Sequence, residues 1–473
     1  MPRSRSEKSK NGEMVMKERI ETDSLGTICV PADAYWGAQT ERSRRNFRIG
    51  AGQEMMPQEV IEAFAYVKKG AALANRELAA EKMSEEKCRL IGEAADEILA
   101  GKLWEHFPLV VFQTGSGTQT NMNINEVIAN RGNELAGRRL LHPNDDVNMS
   151  QSSNDTFPAA MRIAAVRALE ETLLPALERM IGTLRTLETQ HEGIIKVGRT
   201  HLQDAVPIRF SQEISGWRSS LMRDREIIRL LLDPLRELPL GGTAVGTGLN
   251  APIGFDKLAA EKISAVSQKS FRPAKNKFHA LTSLDELVAA HGAVKGLACD
   301  CMKMANDIRL LASGPRCGLG EIRIPANEPG SSIMPGKINP TQCEQMTMVA
   351  VQVMANDTAV GMAASQGQLE LNVFLPVCIY NFLQSVRLLA DSLDSFRQNC
   401  AEGIRANVEK MQENLNRSLM LVTALSPAVG YEKAARTAGR AFEKGISLKE
   451  ACLELGYLGP DEIDVLLDPG KMV

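Results

Sequence analysis

Three apolar stripes constrain the fold of this chain more than any other feature. Val166, Leu169, Leu173, Leu177, Met180, Leu184 and Leu187 recur at spacings of three and four, one face of a helix held over about six turns. Leu287, Val294, Leu297, Cys301, Met304, Ile308 and Leu311 form a second stripe, with Ser283 expected as its N-cap and Asp285 and Glu286 near its positive end. Ile379, Phe382, Val386, Leu389, Leu393, Phe396 and Cys400 form a third. Helices longer than the usual length of about 10 to 14 residues imply a mainly α fold built on a long helix bundle, not an α/β layer. Aromatic residues are only 4% of the chain and Ala, Gly and Met abound, so helices can approach closely. The third stripe is expected to leave apolar surface uncovered on a lone protomer, which predicts oligomerisation.

Around this bundle the chain divides by composition. Residues 1–19 open basic and serine-containing, with Glu7 and Glu13 present and no apolar core for a secretion signal, and are read as a disordered segment. Residues 20–152 mix short segments with helices, notably Glu59 to Glu77 and a run from Ser84, a good N-cap, to Leu99. Residues 153–408 hold the long helices. Beyond 409, Asn414, Ser418 and Gly430 break up short helices into a small C-terminal helical domain. No window reaches the roughly 18 to 20 apolar residues of a membrane span. With 55 basic against 58 acidic residues, net −3, nothing points to nucleic acid or a membrane surface. Nine cysteines, an odd number without zinc-ribbon spacing, fit a reduced cytoplasmic protein with buried thiols.

The chemistry lies in five polar stretches. Gly330-Ser-Ser-Ile-Met-Pro-Gly-Lys-Ile-Asn-Pro340, running on to Glu344, holds two glycines and two prolines in eleven residues and must be a shaped loop. It offers hydroxyls, the Lys337 ammonium and the Asn339 carboxamide, an inventory for holding a small anion. Gln113-Thr-Gly-Ser-Gly-Thr-Gln-Thr-Asn-Met-Asn123 lacks the lysine of a P-loop, so its hydroxyls and amides suit a carboxylate better than a nucleotide. Arg138 to Asn148 contains a Pro143-Asn144-Asp145 turn beside His142, and Ser150-Gln-Ser-Ser-Asn-Asp155 repeats the polar theme. Gly198-Arg-Thr-His-Leu-Gln-Asp204 lies between helical stretches, with His201 expected at the start of a helix. A histidine whose one ring nitrogen is held by a carboxylate such as Glu344 trades protons with water through the other. The glycine-rich Gly241–Asn250 is read as a tight turn at a helix junction.

The 330–344 string resembles the signature loop of the fumarase/aspartase superfamily, and its Pro-Gly-Lys form followed by Asn-Pro-Thr-Gln-Cys-Glu looks like that of class II fumarases. The resemblance runs from about residue 20 to the end. It implies a three-domain fold whose central helices from four subunits merge into one core, a homotetramer in which each active site is assembled from three chains. Residue by residue, it places Ser116, Thr118, Ser152, Ser153, Asn154, Thr200, Lys337 and Asn339 on the substrate. It gives catalytic roles to His201, Ser331, Glu344 and Lys337. Arg139, His142, Asn144 and Asp145 fall on an outlying second dicarboxylate site.

The activity so implied is the reversible hydration of fumarate to (S)-malate, a citric acid cycle step, by anti addition of water through an aci-carboxylate. No metal or organic cofactor is required if fixed dipoles stabilise the developing charge. Ser331 is the expected base toward malate C3, a poor one unless its alkoxide is strongly stabilised. Aspartate ammonia-lyase is the nearest rival, disfavoured because those enzymes normally carry glutamine in place of His201 and alanine in place of Gly336. A non-catalytic relative is disfavoured because the whole catalytic inventory remains.

Overall fold

A computed structural model describes residues 17–473. Among them are seventeen α-helices and only four two-stranded sheets, the mainly α architecture the stripes imply. The expected disordered opening lies outside the described residues as far as residue 16. Glu18 and Arg19 are already ordered, pairing with Pro31 and Val30 in an antiparallel ladder, and the Arg19 guanidinium donates to the Pro31 carbonyl at 2.9 Å.

The first stripe is buried along its whole length. It runs through helix Ser153–Arg167, a π-helical segment Ala168–Leu173 and helix Leu174–Gln190. Pro175 explains the widening, since it has no N–H to donate one turn back and its ring displaces that carbonyl. The second stripe lies in helix Asp285–Leu311, but Ser283 does not cap it. The Ser283 hydroxyl instead donates to the Asp285 carboxylate at 2.8 Å.

The third stripe runs through helix Leu375–Asn399 to Cys400 just beyond it, and it does not supply the uncovered surface expected for oligomerisation. Every one of its seven residues is buried within the single chain. Exposed apolar side chains are spread over the chain, and helix Thr341–Ala364 carries three of them, Met348, Val351 and Met362, which are 66%, 59% and 65% exposed. Periodicity told which residues share a face but not which face stays uncovered.

The described chain forms two compact units. One comprises residues up to Leu173, Ile227–Lys295 and Gln352–Arg387. Its central helix, Gln58–Leu78, packs on Glu85–Leu99, Ser153–Arg167 and Phe255–Ser267. Ser84 caps Glu85–Leu99 as expected, accepting from the Lys87 N–H. The other unit comprises Leu174–Glu226, Gly296–Val351 and Leu388–Val473. Here the C-terminal helices build a small core from Leu415, Leu421, Ala441, Leu448 and Ala451, and Val197 joins it. Val197 belongs to a hairpin of strands Ile195–Thr200 and Gln203–Arg209.

Candidate active site

In the first unit, two helix N-termini converge. Helix Thr118–Ala136 begins after Gly117, whose φ is +72°, and the chain here is too tight for side chains. A Cβ on Gly115 would lie 1.5 Å from the Val373 carbonyl oxygen, and one on Gly117 would lie 2.0 Å from the Phe157 ring. Close packing therefore explains both glycines without a phosphate. The turn brings Ser116 Oγ within 2.8 Å of Thr118 Oγ1. Helix Ser153–Arg167 starts with Ser152 as N-cap in a reciprocal capping box with Asp155. Asn121 Nδ2 donates to Ser153 Oγ at 3.1 Å and joins the two termini, while Asn154 Nδ2 donates to the Ala244 carbonyl at 2.8 Å. Unsatisfied N–H groups and the positive ends of two helix dipoles favour an anion beside these hydroxyls.

Asp155 is turned away from them. Fully buried, it accepts from the N–H groups of Ser152, Gly241 and Thr243, each at 2.9 Å, and so ties the glycine-rich turn to the serine segment. Burial pushes its carboxyl up to about 6, although these bonds pull the other way. Opposite in sign is Lys68, a residue that sequence reading passed over. It is buried on the inner face of helix Gln58–Leu78, and desolvation pushes its ammonium down to about 7 against the pull of Asp155. The signal was present, since Lys68 follows Phe64 and precedes Ala71 and Ala72 at the spacing of that helix's apolar face.

The outlying group lies on the surface of the same unit. His142 precedes a π-helical turn, Pro143–Val147, and its Nδ1 accepts from the Asp145 N–H at 3.2 Å. Asn144 and Asp145 are exposed. Arg138 pairs with Glu86, whereas Arg139 is exposed and without a partner among the described residues.

The second unit holds the remaining residues. His201 is not at a helix start. It and Leu202 form the two-residue tip of the hairpin, with Thr200 paired to Gln203 and φ values of +55° and +60°. Positive φ at both positions is the type I′ geometry that suits hairpin twist, and it holds a histidine in a region that non-glycine residues seldom occupy. Backbone strain of this kind clusters at functional sites. Thr200, His201 and Leu202 are exposed. Their base is rigid: Arg199 Nη1 and Nη2 donate to the Glu321 carboxylate at 3.0 and 2.7 Å, Asn414 Nδ2 donates at 2.9 Å, and Lys196 Nζ lies 3.3 Å away.

The signature loop is clasped at its neck. Gly330 N donates to the Lys337 carbonyl at 2.8 Å, and Asn339 Nδ2 donates to the Gly330 carbonyl at 2.7 Å. Asn339 thus spends one of its donors on loop shape. At the tip, Ser331 Oγ accepts from the backbone N–H groups of Ile333 at 3.3 Å and Met334 at 3.1 Å. Two fixed donors aimed at one hydroxyl oxygen favour its anionic form. Lys337 is exposed, and Glu344 stands exposed in the first turn of helix Thr341–Ala364. Among the described residues no hydrogen bond joins His201 to Glu344.

One histidine invites a different reading. His291 bonds Asp357 Oδ1 through Nδ1 at 2.9 Å and Ser385 Oγ through Nε2 at 2.8 Å, the order of a nucleophilic triad. His291 and Ser385 are both fully buried, and Ser385 also bonds the Asn381 carbonyl at 3.0 Å. These contacts make it a core network.

Comparison with known proteins identifies the family. The family described as Lyase matches residues 26–355, and that described as Fumarase C C-terminus matches residues 421–473. Fumarate hydratase class II of Bacillus cereus is 59% identical over 97% of this chain and 99% of its own length. The chain belongs to the class II fumarate hydratase family. Another family member, from Bacillus subtilis, is 55% identical over 97% of this chain and 99% of its own length. Class II fumarase from Schistosoma mansoni superposes with a TM-score of 0.94 at 42% identity, covering 96% of this chain and 99% of that one. Within this fumarase-family chain, no helix among the described residues is long and apolar enough to cross a membrane.

Proposed function

We propose that this chain catalyses the reversible hydration of fumarate to (S)-malate. The observation that carries the reading, beside family membership, is the pair of backbone N–H groups directed at Ser331 Oγ. Serine is a weak base by itself, and stabilising its alkoxide is what the reaction needs from it. Toward malate, the Ser331 alkoxide takes the proton from C3. The electron pair left on carbon moves into the adjacent carboxylate, giving the doubly charged aci form, which Lys337 and the remaining donors of Asn339 stabilise. The C2–O bond then breaks, and the departing hydroxide takes a proton from His201 to leave as water. Glu344 fixes the His201 tautomer and raises its basicity. In the hydration direction each transfer reverses.

Ser116, Thr118, Ser152, Ser153, Asn154 and Thr200 hold the two carboxylates. His201 and Glu344 meet across copies of the chain in a homotetramer, and the exposed Met348, Val351 and Met362 are surface that such an assembly would cover. Arg139, His142, Asn144 and Asp145 form a second dicarboxylate site. The protein works in the cytoplasm without a metal or organic cofactor.

The deciding assay is ultraviolet absorbance after adding malate to purified protein in the presence of a chelator. Appearance of a conjugated double bond supports the reading, and release of ammonia from aspartate without malate dehydration replaces it with an ammonia-lyase.

A further inference from the structure

Lys68 is an anomaly that the reaction above does not use. The Gln58–Leu78 helix turns Val60, Ile61, Phe64 and Val67 into the core, and Lys68 is as buried as they are, with no exposure. Its ammonium has three donors, and each finds one neutral acceptor: Asn121 Oδ1 at 2.7 Å, Gln151 Oε1 at 2.9 Å and Asn148 Oδ1 at 3.0 Å. No carboxylate touches it, so the desolvation of the charge is met by amide dipoles alone and by Asp155 at longer range. A methionine of similar length would fill the same space without that desolvation, but it would leave three carboxamide oxygens without the donor they share.

What the ammonium does that methionine would not is fix polarity. It accepts nothing, so each carboxamide must turn its oxygen toward Lys68 and its NH2 away. Asn121 is the consequential one. With its oxygen on Lys68 and on the Thr156 hydroxyl, its NH2 is aimed at Ser153 Oγ at 3.1 Å and at Asn148 Oδ1 at 3.1 Å. Ser153 therefore receives a hydrogen bond from inside the protein, and its own proton is left to be donated outward. A hydroxyl that must donate suits a carboxylate, which only accepts.

We propose that Lys68 is a positioning residue which, through the Asn121 carboxamide, holds Ser153 as a hydrogen-bond donor toward the substrate carboxylate. The inference rests on the fumarate-hydratase reading, in which Ser153 touches the substrate.

Asn121→Asp makes the test sharp. The new carboxylate still accepts from Lys68 and forms an ion pair with it, which offsets the bond to Asn148 Oδ1 that the lost NH2 no longer donates, so the fold is kept. The oxygen it turns toward Ser153, however, makes that hydroxyl donate inward. The expected result is an unchanged melting temperature together with a KM for fumarate raised about tenfold to a hundredfold, the loss of one hydrogen bond to a charged group. Turnover at saturation should fall less than threefold. Lys68→Met should raise KM in the same range at lower stability. A merely structural lysine gives the opposite pattern, with Asn121→Asp benign and Lys68→Met lowering stability and leaving KM alone.

A double-mutant cycle with Ser153→Ala completes the test, because an effect routed through Ser153 disappears in that background. The proposal is overturned by an Asn121→Asp enzyme whose KM stays within twofold of wild type, by full additivity in the cycle, or by failure of Asn121→Asp to fold. A wild-type chain that does not hydrate fumarate overturns the functional reading itself, which the same assay shows separately.

Discussion

Replacing Glu321 by Gln tests whether the hairpin that carries Thr200 and His201 is held by charge. Glu321 is fully buried and receives two bonds from Arg199 and one from Asn414, with the fully buried Lys196 ammonium 3.3 Å away. Glutamine keeps one acceptor oxygen but places an NH2 among these donors, leaving Arg199 facing a neutral group while Lys196 retains Glu213 at 3.1 Å. Removing one partner from a buried ion pair costs about 3–5 kcal/mol, and the side chain here lies at the centre of such a cluster. Urea unfolding at pH 7 and fixed protomer concentration should show a loss in that range.

The pH dependence supplies a second handle on the same residue. Burial pushes the Glu321 carboxyl up, but the bonds from Arg199, the Lys196 charge and Asn414 outweigh it, and the net shift is below the ordinary 4.5. The folded state thus holds its proton more weakly than the unfolded state does. The contribution is present in full above about pH 4.5 and is lost as pH falls through the depressed folded value. The gap between wild type and Glu321→Gln should accordingly narrow below pH 4.5. Because Arg199 adjoins Thr200 in the strand, turnover should fall at least about tenfold through displacement of the tip. A loss under 1 kcal/mol, or a gap that stays constant down to pH 3.5, would refute the reasoning.

The remaining predictions concern the chemistry and one carboxyl pair. His201→Asn should lower turnover by about 10² to 10⁴ without changing the melting temperature, because asparagine tolerates the positive φ of this turn; unchanged turnover would remove His201 from the mechanism. Ser331→Ala should lower turnover by about 10² or more while unfolding stability stays within about 0.5 kcal/mol, since the Ile333 and Met334 N–H groups it frees are exposed to water and the Gly330–Lys337 and Asn339–Gly330 bonds do not use the hydroxyl. Stopped-flow and steady-state absorbance measure both. Asp224 is pushed up to about 7 by burial and by the neighbouring Asp300. Between its ordinary 3.8 and that value the folded state holds a proton the unfolded state has released, so stability falls as pH rises through this window. Asp224→Asn should then gain melting temperature over wild type as pH is raised from 5 to 8, and a constant difference would count against the raised Asp224 carboxyl.

The sequence by itself determined the long helices, because a stripe at spacings of three and four has only one regular solution, and all seven residues of the 166–187 stripe are buried as that solution requires. It also determined which stretches carry chemistry, since Pro and Gly forbid regular structure at 330–340 and the hydroxyls and amides there have few other uses. Tertiary structure decided the rest. His201 sits on a strained hairpin tip instead of a helix, because the strands around it are fixed by Glu321 and by the C-terminal core that Val197 joins, partners more than a hundred residues away. The donors at Ser331 come from backbone N–H groups, which every residue but proline possesses and which only a particular loop path can aim. Lys68 becomes meaningful only when three distant carboxamides close around it. Side-chain type and spacing are local properties written in the chain, whereas the direction in which a donor points depends on everything packed behind it.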